Sequence, residues 1–140
     1  MKKVQAVLCA ALLAAGTAAA QDKACSKSDA AAAEKAIDRV VSWPTLYKAW
    51  QDYGHCDSGP VDELFTDAVL RLTVEWKSVD SFAGDMQRDG KYKQFVHRHL
   101  KSPAAKDDRD AIYSRAKASC PAKLDGFCGE LADVVKPEAK

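Results

Sequence analysis

The sequence predicts an all-α protein, a compact bundle of about five to seven helices stapled by disulfides. Three observations lead there. Apolar residues recur at helical spacing almost throughout, and no period-2 run with turn punctuation interrupts them. Proline, glycine and small polar residues fall between the periodic stretches, where helices start and stop. Four cysteines, Cys25, Cys56, Cys120 and Cys128, remain once an N-terminal leader is set aside, and an even count in an exported chain reads as two bridges.

The leader comes first. Lys2 and Lys3 precede an apolar run from Val4 to Ala15, and Ala18-Ala19-Ala20 offers a small-residue cleavage pattern. Residues 1–20 are therefore expected to be a secretory signal peptide, cut after Ala20 and carrying Cys9 away with it. The run is shorter than the roughly 20 residues a membrane-spanning helix needs. Residues 21–140 are expected to form a single helical domain, periplasmic once exported.

The first helix is expected over about residues 29–41, with Ile37, Val40 and Val41 toward the core. Pro44 disfavours helical geometry at Trp43 and suits the first turn of a second helix, which Gly54 ends. Along that helix Trp43, Tyr47, Trp50 and Tyr53 keep to a stripe of about 120°. A third helix opens at Gly59-Pro60, with Asp62 and Glu63 in the first turn where the dipole favours acids. Val61, Leu64, Phe65, Ala68, Val69, Leu72 and Trp76 fall within about 140° of arc, while Leu70 and Val74 lie opposite. A helix apolar on two sides belongs at the centre of a bundle or faces a partner; the central reading is preferred.

Further helices are expected over about 79–88 and 92–101, the latter placing Tyr92, Phe95, Val96, His99 and Leu100 on one side. Gly90 breaks the chain between them. Asp107 or Asp108 is expected to cap the next helix, which carries Ala111, Ile112 and Ala116 and ends before Cys120-Pro121. A last helix spans about 126–135. For the disulfides, loop entropy ranks the possibilities. Bridging Cys56 to Cys120 would remove about 4 kcal/mol of unfolded-state entropy, against about 2.6 kcal/mol for Cys120 to Cys128. Cys56–Cys120 with Cys25–Cys128 is the preferred pairing, and the other pairings stay open.

Charge excludes some functions. The chain holds 21 Lys and Arg against 20 Asp and Glu, and loss of Lys2 and Lys3 brings the formal balance to −1. Neither nucleic acid nor an anionic membrane has a basic patch to meet. Catalysis has little to stand on either. His55-Cys56-Asp57 places thiol, imidazole and carboxylate side by side, but catalytic partners normally meet from separate elements, and a disulfide is the stronger claim on Cys56. His97 and His99, two apart on a helix, point about 160° away from each other and do not share a metal from a regular helix. His99 falls among core residues and reads as a satisfied core histidine. The aromatic stripe reads as core rather than a ligand cage. No enzyme, metal or cofactor is expected.

The signal peptide, the aromatic helix, the turn YGHCDSG, the segment DELFTDAVLRLTVEW, and later FVHRHL and Cys120-Pro121, are similar to small periplasmic immunity proteins. More narrowly, the chain resembles the type VI secretion amidase immunity family. The resemblance implies an all-α protein, often dimeric, that binds a peptidoglycan-cleaving amidase and occludes its catalytic groove. It carries over no catalytic residue. For the contact surface the residues themselves suggest the polar loop 103–110 with Asp107 and Asp108, an exposed His55, or the Leu70/Val74 face for self-association as a homodimer. The alternative reading is a periplasmic structural or stress protein binding a small molecule or metal through His55, His97 or His99.

Overall fold

The computed structural model describes residues 23–137, and the signal-peptide segment and Cys9 lie outside them. Seven helices follow one another: α1 (Lys27–Ile37), α2 (Trp43–Tyr53), α3 (Pro60–Glu75), α4 (Val79–Arg88), α5 (Gly90–Leu100), α6 (Lys106–Ala118) and α7 (Asp125–Val134). Two 3-10 turns, Gly54–Cys56 and Pro103–Ala105, link α2 to α3 and α5 to α6. The described residues contain no strand. The protein is an all-α bundle tied by two disulfides.

Local chemistry sets most boundaries. Ser26 and Asp29 form a reciprocal capping box, so α1 starts ahead of the expected residue 29. It ends at Ile37, where the chain tightens through Val40 N–H to Ile37 O at 2.9 Å. That turn breaks the helical phase. Val40 stays buried as expected, but Val41 is turned out and is 74% exposed, contrary to its expected place in the core. Ser42 caps α2 ahead of Trp43 and Pro44. Gly54 is needed for space rather than for backbone angle. A Cβ there would meet Trp50 Cδ1 at 2.9 Å. Gly59, with φ of 55°, supplies the left-handed residue that turns the chain into α3.

Asp89, not Gly90, separates α4 from α5, and its carboxylate accepts from the backbone of Lys91 and Tyr92 at 3.0 and 3.1 Å. Neither Asp107 nor Asp108 caps α6. The 3-10 turn runs straight into that helix with Ala105 at the cap position, so the acids sit inside the first turn. Segment 103–110 is therefore not a loop.

Helix α3 lies at the centre, packed against α1, α2, α5 and α6. Both of its apolar faces are used. Leu70 is 7% exposed and Val74 is half-buried, because α6 and the Pro103–Ala105 turn cover that side. The expected self-association surface is occupied from within. Of the aromatic stripe of α2, Trp43 is core as expected, and Tyr47, Trp50 and Tyr53 are partly buried against it. Trp43 stacks on Phe82 of α4 with centroids 3.6 Å apart, and Tyr47 and Trp50 pack on Tyr92 of α5. Phe65, Phe95 and His99 extend the same cluster.

The disulfides differ from the preferred pairing. Cys25 joins Cys56 and Cys120 joins Cys128, with Cα separations of 4.8 and 6.0 Å. Loop entropy is a property of the unfolded chain and ranks what a bridge contributes once made. Which cysteines meet is decided by folded geometry, within a Cα window of about 4.4–6.8 Å. Packing of α1 against the Gly54–Cys56 turn brings Cys25 to Cys56. The short turn between α6 and α7 brings Cys120 to Cys128.

Candidate functional site

The chain's polar chemistry gathers where the α2–α3 corner meets α5. Asp57 follows the disulfide-bonded Cys56, Asp62 and Thr66 project from α3, and Arg98 and His99 come from the last turn of α5. His99 is fully buried, with Nδ1 2.7 Å from Thr66 Oγ1 and Nε2 3.1 Å from Asp57 Oδ2. Arg98 spans the two acids. One guanidinium nitrogen bonds Asp57, and the other donates to Asp62 Oδ1 at 2.7 Å. The first of these nitrogens also lies 3.3 Å from His99 Nε2. The Asp57 side chain is only 7% exposed, whereas that of Arg98 is 52% exposed. Burial, reinforced by the Arg98 charge and opposed by Asp62, pushes the His99 imidazole down to about 4, so it is neutral at pH 7.

The Thr66–His99–Asp57 chain has the connectivity of a hydroxyl, a base and an orienting acid. The hydroxyl is buried between helices, however, and both His99 and Asp57 also contact the Arg98 guanidinium. As it stands the array clamps α3, α5 and the disulfide corner together.

The three consecutive residues His55-Cys56-Asp57 take three directions. Cys56 is bridged to Cys25 and offers no thiol. His55 is not exposed to a partner: its side chain is 5% exposed and its Nε2 lies 3.3 Å from Asp29 Oδ2. Asp29 also pairs with Lys23, and these partners hold its carboxyl well below the ordinary range. His97 and His99 diverge as their spacing requires. Where His99 faces α3, His97 faces α7, with Nε2 3.9 Å from Glu130 and burial depressing its pKa.

A groove of about 410 Å³ runs beside the cluster, between the first half of α3 and the start of α6. Asp62, Glu63, Asp67 and Asp108 edge it, with Thr66 and Leu70 on its floor side. Of the expected contact residues, Asp108 lines this groove and Asp107 lies exposed beside it, Leu70 is a buried part of its wall, and Val74 and His55 lie outside it.

Asp57, Asp62, Thr66 and Arg98 were not singled out from sequence as a group. In the sequence Asp57 stands out only within His55-Cys56-Asp57, and Asp62 only as an acid in the first turn of a helix. The only local signal was the Arg98-His99 pair, and its partners lie 33 to 42 positions away. Comparison of the chain with protein-family models, with curated proteins and with solved structures finds no match. Among the described residues, no helix is long and apolar enough to cross a membrane. The two disulfides are consistent with an oxidising, extracytoplasmic compartment.

Proposed function

We propose that this is a periplasmic immunity protein that binds and inhibits a secreted, peptidoglycan-cleaving amidase and so protects the producing cell. The observation that carries the reading is how the chain's reactive-looking motifs are spent. Cysteines are bridged, His55 and His99 are held in internal hydrogen bonds, and both apolar faces of α3 are covered. Outward, the chain presents the shape and charge of a rigid, doubly tied bundle. That suits an inhibitor acting by occlusion rather than by chemistry.

The contact surface that fits best is the acidic edge of the α3–α6 groove, with Asp108 at its rim and the exposed Asp107 next to it in the chain. Its charge complements a basic surface around a partner's catalytic groove. The test is co-expression of the exported chain with an amidase encoded beside its gene and directed to the periplasm. Growth should be rescued, and purified partners should form a complex. Asp107→Lys with Asp108→Lys should weaken that complex by roughly tenfold or more, mainly through slower association that is salt-dependent. Absence of both rescue and binding overturns the reading.

A further inference from the structure

The Asp57–Asp62–His99 cluster holds one feature that a structural clamp does not explain. His99 Nε2 lies 3.1 Å from the acceptor Asp57 Oδ2 and 3.3 Å from the donor Arg98 guanidinium. No tautomer satisfies both contacts. With hydrogen on Nε2, the bond to Asp57 forms and the guanidinium hydrogens meet an N–H. With hydrogen on Nδ1, that nitrogen donates to Thr66 Oγ1, and the Nε2 lone pair then faces both the guanidinium and the carboxylate lone pairs.

Charge points the same way. Two carboxylates face one guanidinium, which leaves one negative charge beside a buried histidine. In addition, Asp57 Oδ1 is buried with no hydrogen-bond partner among the described residues. The convergent atoms are one imidazole nitrogen and two carboxylate oxygens, all within 4.8 Å of one another. Ligand atoms of one tetrahedral zinc ion sit about 3.3 Å apart, given bond lengths near 2.0–2.1 Å. The Nε2–Oδ2 pair is already close to that spacing.

We propose that Asp57, Asp62 and His99 form a binding site for a divalent transition metal of the zinc type, and that the Arg98 guanidinium is its displaceable occupant. The guanidinium stands in for the cation. Its side chain is paired with both acids but half-exposed, so an incoming ion can turn it out to solvent, whereas the acids and the imidazole are held by α3, α5 and the disulfide corner. A divalent ion neutralises both carboxylates and accepts the Nε2 lone pair, which removes the conflict between tautomers. Nitrogen among the donors favours zinc over calcium or magnesium, whose sites are built from oxygen. Thr66 is the positioning residue: its hydroxyl accepts from Nδ1 and fixes the tautomer that presents Nε2 to the metal. The site lies inside the bundle and does not depend on the toxin-binding reading.

The experiment is calorimetric titration of the mature protein with ZnCl2, alongside Arg98→Met, His99→Phe, Asp57→Asn and His97→Gln. Removing the guanidinium in Arg98→Met should tighten zinc binding by roughly tenfold or more, while His99→Phe and Asp57→Asn should weaken it by a similar factor. His97→Gln should match the wild type. Far-UV circular dichroism reports whether each variant is folded. Should Arg98→Met not fold, nitrogen NMR of the wild type decides instead: saturating Zn²⁺ should shift the His99 Nε2 resonance and leave that of His97 in place. Zinc binding no tighter in a folded Arg98→Met, or unchanged in His99→Phe and Asp57→Asn, overturns the proposal. So does a wild-type His99 resonance that zinc does not move.

Discussion

Thr66→Val removes one hydroxyl from the centre of the polar cluster and keeps the side chain's shape. The hydroxyl is buried and lies 2.7 Å from His99 Nδ1, itself on a buried ring. Valine deletes the bond and leaves the nitrogen of a buried ring without its partner. A typical hydrogen bond contributes about 1 kcal/mol net, and a buried polar atom left bare costs about 1–3 kcal/mol. The expected loss is about 2–3 kcal/mol, or roughly 8–12 °C in Tm for a domain of this size. The same helix supplies its own control. Thr73 is equally buried, but its hydroxyl donates to Val69 O at 2.6 Å, a carbonyl within its own helix. Thr73→Val strands no side-chain partner, so its cost should stay below about 1 kcal/mol. Threonine and valine have similar helix propensities, so the backbone contribution largely cancels. Urea unfolding of both variants, with equal m-values, measures the difference. If Thr66→Val costs no more than Thr73→Val, His99 is not held by Thr66 and the clamp is wrongly described.

Three further outcomes follow from the same structure. Replacing Cys25 and Cys56 by serine should cost about 3.7 kcal/mol, against about 2.6 kcal/mol for Cys120 and Cys128, because the closed loops differ in length. Peptide mapping under non-reducing conditions checks the pairing itself, and a free, reactive Cys56 would contradict it. Asp29 has a depressed folded-state pKa, chiefly through Lys23 and then His55, so its contribution is present above about pH 4. It is lost as pH falls below that value, and an Asp29→Asn variant should therefore lose less stability than wild type between pH 5 and pH 3 in urea melts. Lys123 is exposed with φ of 71°, where a side chain costs about 1–2 kcal/mol. Lys123→Gly should raise stability by up to about 1 kcal/mol after the entropy of the unfolded glycine is counted, and a lower Tm would refute the strain.

Much of the fold was legible because helices are local. The span of α4 is as its pattern predicts, and the proline and glycine signals place both ends of α2 and the start of α3 within a residue or so. The central position of α3 followed from its two apolar faces. Val41 was misplaced because a helix that stops at Ile37 no longer carries its phase to residue 41. The disulfide pairing and the polar cluster were not legible, and for related reasons. Both depend on which segments become neighbours after packing. Periodicity reports which face of a helix is apolar, but not which polar residue of another helix will meet it. Thr66 and Arg98 look like ordinary helix residues until α3 and α5 are placed side by side.

The position of the cluster beside the Cys25–Cys56 bridge has a physical logic. A buried carboxylate such as Asp57 is unfavourable unless its partners are held close, because water would solvate it better. Arg98 is long and half-exposed, so it cannot by itself keep Asp57 inside. The backbone can. Cys56 is fixed to the start of α1, and Gly59 and Pro60 fix the start of α3, leaving Asp57 and Ser58 little freedom to carry the carboxylate outward. The bridge and the polar cluster therefore act on the same few residues. Loosening the bridge should weaken the Asp57 contacts, and loss of those contacts should expose the bridge. In that arrangement the two halves of WPTLYKAWQDYGHCDSGP act in different places. Its aromatic half anchors α2 in the core, and its polar half delivers one buried acid to an arginine and a histidine 41 and 42 residues further along.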